Sequence, residues 1–398
     1  MLHRISVKPV SQEGWLFLLF LFIFVLIGLE RGGAKISSFF EPLLGGFSIY
    51  LLFSRRASLC KVDGWLVSLF LIYCAYYLLR REGWSGPIDA SIDYFRPVMQ
   101  AILLVALLAW LVLRHENENG EMLFFVVAGA VIAGLSVFNF YLLSGNGLHE
   151  RIRPLGEAEH PIIGMYYYAF SLILAGIILL RSKSSKSMLI ALLCIGVLFL
   201  IFFLSRSRGP LLGLVVTTFL FLLFLMRGWR RWVLPLVAVA LVAVFLFLMK
   251  EEWLARLDTG RFIIWHTVFD SVPKALWFGH GATTENYVYF SETYGWQHAH
   301  NIWLGHMYWG GVVGVMLLGM VCCRTAWLLW RCRGGTLSML GLGLLCFGLV
   351  SMLTDGNLLL TYPGPVWMVF VVPVGLALGM SGRSKASSGK YAHHQADV

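Results

Sequence analysis

Long apolar segments, separated by short polar ones, recur along the whole chain. A helix needs roughly 20 predominantly apolar residues to cross a bilayer, and the pattern predicts about twelve such helices. The predicted spans are 15–29, 36–53, 63–79, 95–113, 121–143, 161–180, 188–204, 210–226, 232–249, 299–321, 336–353 and 362–380. The sequence therefore predicts an all-α integral membrane protein.

The composition supports this class. Hydrophobic residues make up 59% of the 398 residues, charged residues make up 13%, and the mean hydropathy is +0.77. An ordinary soluble domain is excluded, because such domains carry about 25% charged residues. No small-residue cleavage site follows the first apolar segment, "LFIFVLIGLE". That segment is therefore predicted to be a retained helix and not a removed signal peptide.

The distribution of basic residues predicts the orientation. Loops rich in Lys and Arg tend to stay in the cytoplasm. With the N-terminus placed inside, most of the 31 Lys and Arg residues are cytoplasmic, while most of the 21 Asp and Glu residues lie outside. Both termini are then cytoplasmic. This topology accounts for the net charge of +10, and no nucleic-acid partner is needed to explain it.

Two predicted external segments are long enough to carry chemistry, 144–161 and 250–297, and the second is expected to contain helices. They define a predicted organisation in four parts. These are N-terminal helices over 1–143, a core over 144–323, C-terminal helices over 324–380, and a disordered cytoplasmic tail over 381–398.

Two arginines lie at an external membrane edge in "FFLSRSRGPLLG", namely Arg206 and Arg208. An arginine at this depth is costly unless it is paired or faces a ligand. The alternative is an interfacial anchor that extends to water. Because the external side should be poor in positive charge, the pattern favours ligand binding.

A third arginine lies in the long external segment. Helical spacing places Arg261, Trp265 and Leu257 on one face. The alternative is an amphipathic helix on the membrane surface, with its basic residue toward the lipid headgroups. Arg256 fits that alternative better than Arg261 does.

Histidines open the apolar run "GWQHAHNIWLGHMYWGGVVG". His298 and His300 are two residues apart, so a helical start would place them on opposite sides. One alternative is structural, with His300 and Asn301 as capping and packing residues and Gly310 and Gly314 permitting close helix approach. A second is a zinc site, which would combine His298 and His300 with His280 or His306.

Four motifs occur in order on the predicted external side: "SRG" from Ser207, "GR...W" from Gly260, "P...WFGHG" from Pro273, and "HAHN...G...G" from His298. Together they resemble the O-antigen ligase and polymerase superfamily. The resemblance covers roughly 140–320, including "RPLGEAEHP" upstream. It implies a fold like that of type C membrane glycosyltransferases.

The resemblance implies transfer of a glycan from undecaprenyl pyrophosphate to a lipid A-core acceptor. The reaction would occur at the periplasmic face of the bacterial inner membrane, with inversion and without a metal or other cofactor. Arg208 and Arg261 would bind the pyrophosphate, with Arg206 as a second possibility. His300 would act as general base or orient the acceptor. Three further residues would support His300 or contact a substrate, namely Asn301, His298 and Arg153.

Several observations bear on these roles. Guanidinium groups can bind a departing pyrophosphate bidentately, and an imidazole can accept a hydroxyl proton. There is no Asp-x-Asp motif, and Glu157 and Glu159 form the nearest substitute.

Other functions remain open at this stage. Ligation to lipid A-core is favoured over polymerisation of O-antigen repeat units and over transfer to a protein hydroxyl. A transporter of lipid-linked glycans is the non-enzymatic alternative. It would predict internal repeats and ionisable residues at mid-membrane depth, and the predicted spans have few such residues.

Overall fold

The computed structural model describes most of the chain. The described residues are 12–31, 33–53, 62–80, 88–114, 119–225, 260–281, 288–289, 295–296, 298–356 and 358–396. The statements below concern these residues.

The regular secondary structure of the described residues is helical, apart from one short β-ribbon. The first eight helices are α1 (Gln12–Leu29), α2 (Gly33–Phe53), α3 (Gly64–Leu79), α4 (Ile88–Arg114), α5 (Asn119–Val137), α6 (Gly164–Arg181), α7 (Ser185–Ser205) and α8 (Arg208–Leu225). The others are α9 (Arg261–Ser271), α10 (Ile302–Arg331), α11 (Thr336–Ser351), α12 (Pro365–Val369) and α13 (Val371–Ala396). Helix α5 continues as one π-helical segment, Phe138–Leu143.

Each predicted span except 232–249 coincides with one or two of these helices, and that span lies outside the described residues. In the described part, 6 helices are long and apolar enough to cross a membrane: 95–113, 122–143, 164–181, 185–205, 302–331 and 365–384. The protein is therefore a helical membrane protein, and the count of about twelve spans stays a prediction. Helix α13 continues to Ala396 through the segment predicted to be a disordered tail.

The segment 250–297, which the sequence predicts to be external, contains α9 and also a small ribbon. Strands β1 (Val288–Tyr289) and β2 (Gly295–Trp296) pair antiparallel, with Val288 opposite Trp296.

Helix α6 lies at the centre of the bundle. It is buried over nearly its whole length, including Tyr166, Tyr167 and Tyr168. Several polar groups on this helix are paired within the protein, whereas the buried Tyr167 hydroxyl has no hydrogen-bond partner among the described residues. The Ser171 hydroxyl donates to the Phe125 carbonyl at 2.9 Å, and the Tyr168 hydroxyl lies 3.0 Å from that of Ser136. Such pairing removes the cost of burying polar atoms in an apolar interior.

Helices α3 and α10 approach each other closely at two glycines. A Cβ at Gly310 or Gly314 would lie 2.5 or 2.6 Å from the Tyr77 hydroxyl oxygen. Only glycine leaves room for Tyr77 there, which agrees with the close-approach interpretation of the "G...G" spacing.

A break interrupts α10 at Gly311, where φ is 60° and ψ is −162°. Such a break frees backbone groups that need partners in an apolar setting. The turn after α9 supplies them: Val312 N donates to Leu276 O at 2.9 Å, Val313 N to Trp277 O at 3.1 Å, His280 N to Tyr308 O at 2.8 Å, and Gly281 N to Trp309 O at 3.0 Å. The "WFGHG" motif therefore completes the backbone of a broken helix.

Candidate active site

The site is built around the start of α10. Asn301 is the N-cap, and its Oδ1 accepts hydrogen bonds from Trp303 N at 2.9 Å and Leu304 N at 3.2 Å. Its Nδ2 donates to Leu353 O at 3.0 Å. Asn301 thus caps one helix and holds the turn that follows α11. Its predicted capping role is confirmed.

His300 precedes the cap in a left-handed conformation, with φ of 48°. A non-glycine residue held there costs on the order of 1–3 kcal/mol, and such residues cluster at functional sites. The conformation is supported locally, because His300 N donates to His298 Nδ1 at 3.2 Å and Ile302 N donates to Met352 O at 2.9 Å.

The two histidines lie side by side. Their ring centroids are 3.9 Å apart, with an interplanar angle of 52°. The expectation that they point to opposite sides is wrong. It assumed a helical phase, whereas α10 begins only at Ile302 and both residues lie in the non-helical backbone before it.

The partner of His300 is Asp355, in the turn between α11 and α12. Nδ1 of His300 and Oδ1 of Asp355 are 2.6 Å apart, and Asp355 is only 2% exposed. The Tyr166 hydroxyl donates to the Asp355 carbonyl at 2.8 Å and so fixes the turn. An ionised carboxylate can only accept, so the shared proton belongs to Nδ1. The neutral imidazole then presents the lone pair of Nε2.

The electrostatics of the pair favour an ionised Asp355. Burial alone would raise the pKa of the Asp355 carboxyl, but the hydrogen bond from His300 and the nearby imidazoles outweigh burial, and this pKa lies below its ordinary value. The second oxygen, Oδ2, is buried and has no hydrogen-bond partner in the described part of the chain.

His298 differs from its neighbour in being held neutral. Burial is the main cause that lowers the pKa of His298 to about 4, and electrostatic interaction with the neighbouring His300 ring adds to it. Burial also lowers the pKa of His160, which lies close enough to feel the charges of Asp355 and His300. His298 therefore accepts the His300 N–H as a neutral ring.

Sequence reasoning missed Asp355, although a signal was present. The predicted spans end at 353 and resume at 362, so "TDGNLLL" was already placed on the external side with His300. An acidic residue in that turn is a candidate orienting partner for an external imidazole.

The "SRG" motif lies at the break between α7 and α8. Arg206 is the left-handed C-cap of α7, and its Nη2 donates to Leu148 O at 3.3 Å. Arg208 is the first residue of α8. A Cβ at Gly209 would lie 2.1 Å from Thr354 Oγ1. The start of α8 therefore packs directly on the turn that carries Asp355.

The "GR...W" motif begins α9. Gly260 is the N-cap with φ of 69°, a conformation that favours glycine, and Arg261 follows as the first helical residue. Trp265 Nε1 donates to Ala299 O at 3.1 Å, which ties α9 to the histidine segment. The charge of Arg261 acts on both His298 and Tyr166. Leu257 and Arg256, also considered from the sequence, lie outside the described residues.

Other residues singled out from the sequence lie outside this cluster. Arg153 is exposed in the segment before α6. The ring of His306 is buried between Ile302 O at 2.8 Å and the Tyr73 hydroxyl at 2.9 Å, and His280 Nε2 lies 3.2 Å from Ser271 O.

The zinc alternative is therefore wrong in its third ligand. The group that the described residues bring together is His298, His300 and Asp355, with ligand atoms within 4.8 Å of one another. Glu159 of the acidic pair instead lies 3.4 Å from Arg31.

A family model described as O-antigen ligase matches residues 197–319. The matched region contains all four motifs, from "SRG" to "HAHN...G...G". The chain is also 27% identical over 327 residues to an O-antigen ligase of Pseudomonas aeruginosa, a match that covers 80% of each protein. Both matches support membership of the O-antigen ligase superfamily. The resemblance seen in the motifs is confirmed. Arg153 and Asp355 both lie outside the residues that the family model matches.

Proposed function

We propose that the protein is an O-antigen ligase that transfers a polysaccharide from undecaprenyl pyrophosphate to the lipid A-core oligosaccharide. The reaction takes place at the periplasmic face of the inner membrane, and both termini are cytoplasmic. The observation that carries this proposal is the 2.6 Å hydrogen bond between His300 and Asp355, beside two helices that begin with arginine.

His300 is the general base. Nε2 accepts the proton of the acceptor hydroxyl as the hydroxyl oxygen attacks the anomeric carbon of the donor. The bond from that carbon to the pyrophosphate oxygen breaks, and a single displacement inverts the anomeric centre. Asp355, buried and ionised, stabilises the imidazolium that forms. The proton is released to solvent, and undecaprenyl pyrophosphate leaves.

Arg208 and Arg261 receive the pyrophosphate. Each is the first residue of a helix whose first turn has no acidic residue. A cation at a helix N-terminus opposes the helix dipole, so this placement is unfavourable unless an anion sits there. A pyrophosphate can accept hydrogen bonds from the two guanidinium groups, and it would lie at the positive ends of the two helix dipoles.

Arg206 has a different role from Arg208 and Arg261. Its guanidinium is bound to the Leu148 carbonyl, and its backbone forms the left-handed end of α7. We assign it to holding the external segment in place and leave the pyrophosphate to Arg208 and Arg261.

The proposed reaction needs no metal. Two arginines offset the developing charge of the leaving group, the role that a divalent cation has in other glycosyltransferases. Asp355 Oδ1 is already bonded to His300 Nδ1, and this bond competes with coordination of a cation by the same three residues.

Deletion of the gene tests the proposal at the level of the cell. Loss of all long-chain lipopolysaccharide bands with accumulation of lipid-linked polymer is expected for a ligase. Core bearing a single repeat unit would indicate a polymerase. Normal lipopolysaccharide with loss of glycan from a protein would indicate a protein glycosyltransferase. Failure of the lipid-linked glycan to reach the periplasm would indicate a transporter.

A further inference from the structure

A second polar feature lies on the external side, beside the proposed active site. An open cleft of about 560 Å³ is formed by the end of α5 and the segment that follows it. Its lining combines an aromatic ring, an amide, a carboxylate and guanidinium groups, from Phe140, Asn146, Glu150, Arg151 and Arg153. Such a mixture suits a glycan, which offers hydroxyl donors and acceptors together with flat C–H faces, better than it suits an acyl chain.

The cleft is held open by hydrogen bonds within the protein. The Tyr141 hydroxyl donates to Glu150 O at 2.9 Å, and Asn146 Nδ2 donates to Phe140 O at 2.9 Å. Ile152 N donates to Leu204 O at 3.2 Å and attaches the segment to α7. Because the cleft is already ordered, ligand binding does not have to include the free-energy cost of ordering the protein.

The two arginines of the cleft have different tasks. Arg151 donates to Ser205 O and to Ser207 Oγ, each at 3.0 Å, and so joins the cleft to the "SRG" break. Arg153 is exposed, and the described residues give it no hydrogen bond or ion pair. Its guanidinium is therefore the one in this cleft that is available to an anionic ligand.

The cleft leads toward the reacting groups. Pro161 lines it, and the Pro161 carbonyl accepts a hydrogen bond from Ser207 Oγ at 2.7 Å. The neighbouring residue, His160, lies close enough to Arg151 and Arg153 of the cleft, and to Asp355 and His300, for each of these groups to shift its pKa. The cleft is therefore near the His300–Asp355 pair.

We infer that this cleft binds the acceptor glycan, with Arg153 contacting a phosphate substituent on a sugar next to the one that is glycosylated. The inference rests on the proposed function, because it takes Arg208 and Arg261 as the donor side. A third anion-binding arginine, which lies in the cleft and not at the start of α8 or α9, then serves the other substrate.

The test measures transfer by the purified full-length protein to lipid A-core, with native acceptor and with acceptor dephosphorylated by hydrogen fluoride. A charge-assisted hydrogen bond supports an increase of about 10- to 100-fold in acceptor KM for Arg153→Ala with native acceptor. The donor KM should stay unchanged. With dephosphorylated acceptor, wild type and Arg153→Ala should perform alike. Arg153→Lys should fall between them, because it keeps the charge but loses the fork.

Lys274→Ala is the matched control, since Lys274 is an exposed cation outside the cleft, in the short 3-10 helix Val272–Ala275 that follows α9. It should leave both KM values unchanged. An equal loss by Arg153→Ala on both acceptors, or a change confined to the donor KM, would overturn the inference.

Binding of the delipidated core oligosaccharide, measured by calorimetry without donor, separates this inference from the proposed function. Weaker binding to Arg153→Ala than to wild type supports the cleft even if transfer proves to use another acceptor. Unchanged binding contradicts the cleft whatever the reaction is.

Discussion

His300 and Asp355 are joined by a 2.6 Å hydrogen bond between Nδ1 and Oδ1, although 55 residues and two helices separate them in the chain. The Asp355 side chain is almost fully buried, whereas His300 retains partial exposure. The pair therefore has one member protected from solvent and one that can meet a substrate. This arrangement is the one expected of an orienting carboxylate and a base.

Replacing Asp355 tests this relationship. Asp355→Asn keeps the shape but removes the carboxylate that fixes the proton on Nδ1, so we expect turnover to fall by about 10² to 10⁴ fold. Donor binding should persist, because the arginines remain. Single-turnover transfer and donor binding are the measurements.

Two further variants make this result specific. Tyr166→Phe removes only the hydrogen bond to the Asp355 backbone, and it should lose far less activity. In a His300→Ala background, Asp355→Asn should add little, since the two residues act as one unit. Additive losses in the double variant would contradict the pairing.

His298 gives a prediction about pH. Its pKa is lowered to about 4, so the ring stays neutral from about pH 5 to 8. His298→Gln should therefore reduce the rate modestly, through loss of support for the His300 backbone, without changing the shape of the pH–rate profile in that range. A titration step that disappears with His298 would show that this ring, and not His300, carries the proton.

The same shift bears on stability. A folded-state pKa below the ordinary imidazole value means that folding favours the neutral form. The contribution of His298 is complete above about pH 6.5 and is lost as the pH falls through about 4. The difference in melting temperature between wild type and His298→Gln should shrink over that interval.

We expect the function of the arginines to depend on the planar geometry of the guanidinium group as well as on its charge. Arg208→Lys and Arg261→Lys keep a positive charge but lose the planar fork, so each should lose most activity while the protein still inserts. Arg206→Lys should lose less, because Arg206 contacts the Leu148 carbonyl. Donor KM and turnover are measured in proteoliposomes. If Arg206→Lys is the most impaired of the three, Arg206 and not Arg208 meets the pyrophosphate.

Removal of metal ions tests whether the arginines take the place of a divalent cation. Activity of the purified protein should survive EDTA, because guanidinium groups are proposed to replace the cation. The three-residue group His298, His300 and Asp355 offers the competing site. Loss of activity on chelation, with recovery on adding Zn²⁺ or Mg²⁺, would favour metal coordination there.

Much of this architecture follows from local sequence signals. Apolar runs predict the helices because a bilayer demands internally bonded backbone over a fixed length. Counting the predicted spans predicts that the four motifs share the external side. Helical spacing also correctly places Arg261 and Trp265 on one helix, since α9 begins at Arg261.

What the sequence could not supply depends on contacts between distant segments. The pairing of His300 with Asp355 requires Asn301 to hold the turn after α11, and no periodicity reports such a bond. The side-by-side histidines depend on a left-handed residue at 300. Histidine gives no local signal for that conformation, because its φ is imposed by the surrounding hydrogen bonds.

The last prediction concerns the broken helix beneath the site. Gly279 has φ of 67°, and a Cβ there would lie 2.4 Å from the Trp309 carbonyl carbon. Because the obstacle is backbone, Gly279→Ala must displace the turn whose hydrogen bonds close the break at Gly311. We expect a severe loss of folded, monodisperse protein, measured by size-exclusion chromatography and thermal unfolding.

Gly145→Ala is the matched control for this change. Gly145 has φ of 68°, nearly identical to Gly279, but nothing lies within 4 Å of its would-be Cβ. Its cost should be limited to the left-handed backbone, about 1–2 kcal/mol. A large difference between the two variants assigns the damage to the contact with α10. Equal damage would mean that backbone conformation alone accounts for Gly279, and that the junction between the "WFGHG" turn and α10 tolerates displacement.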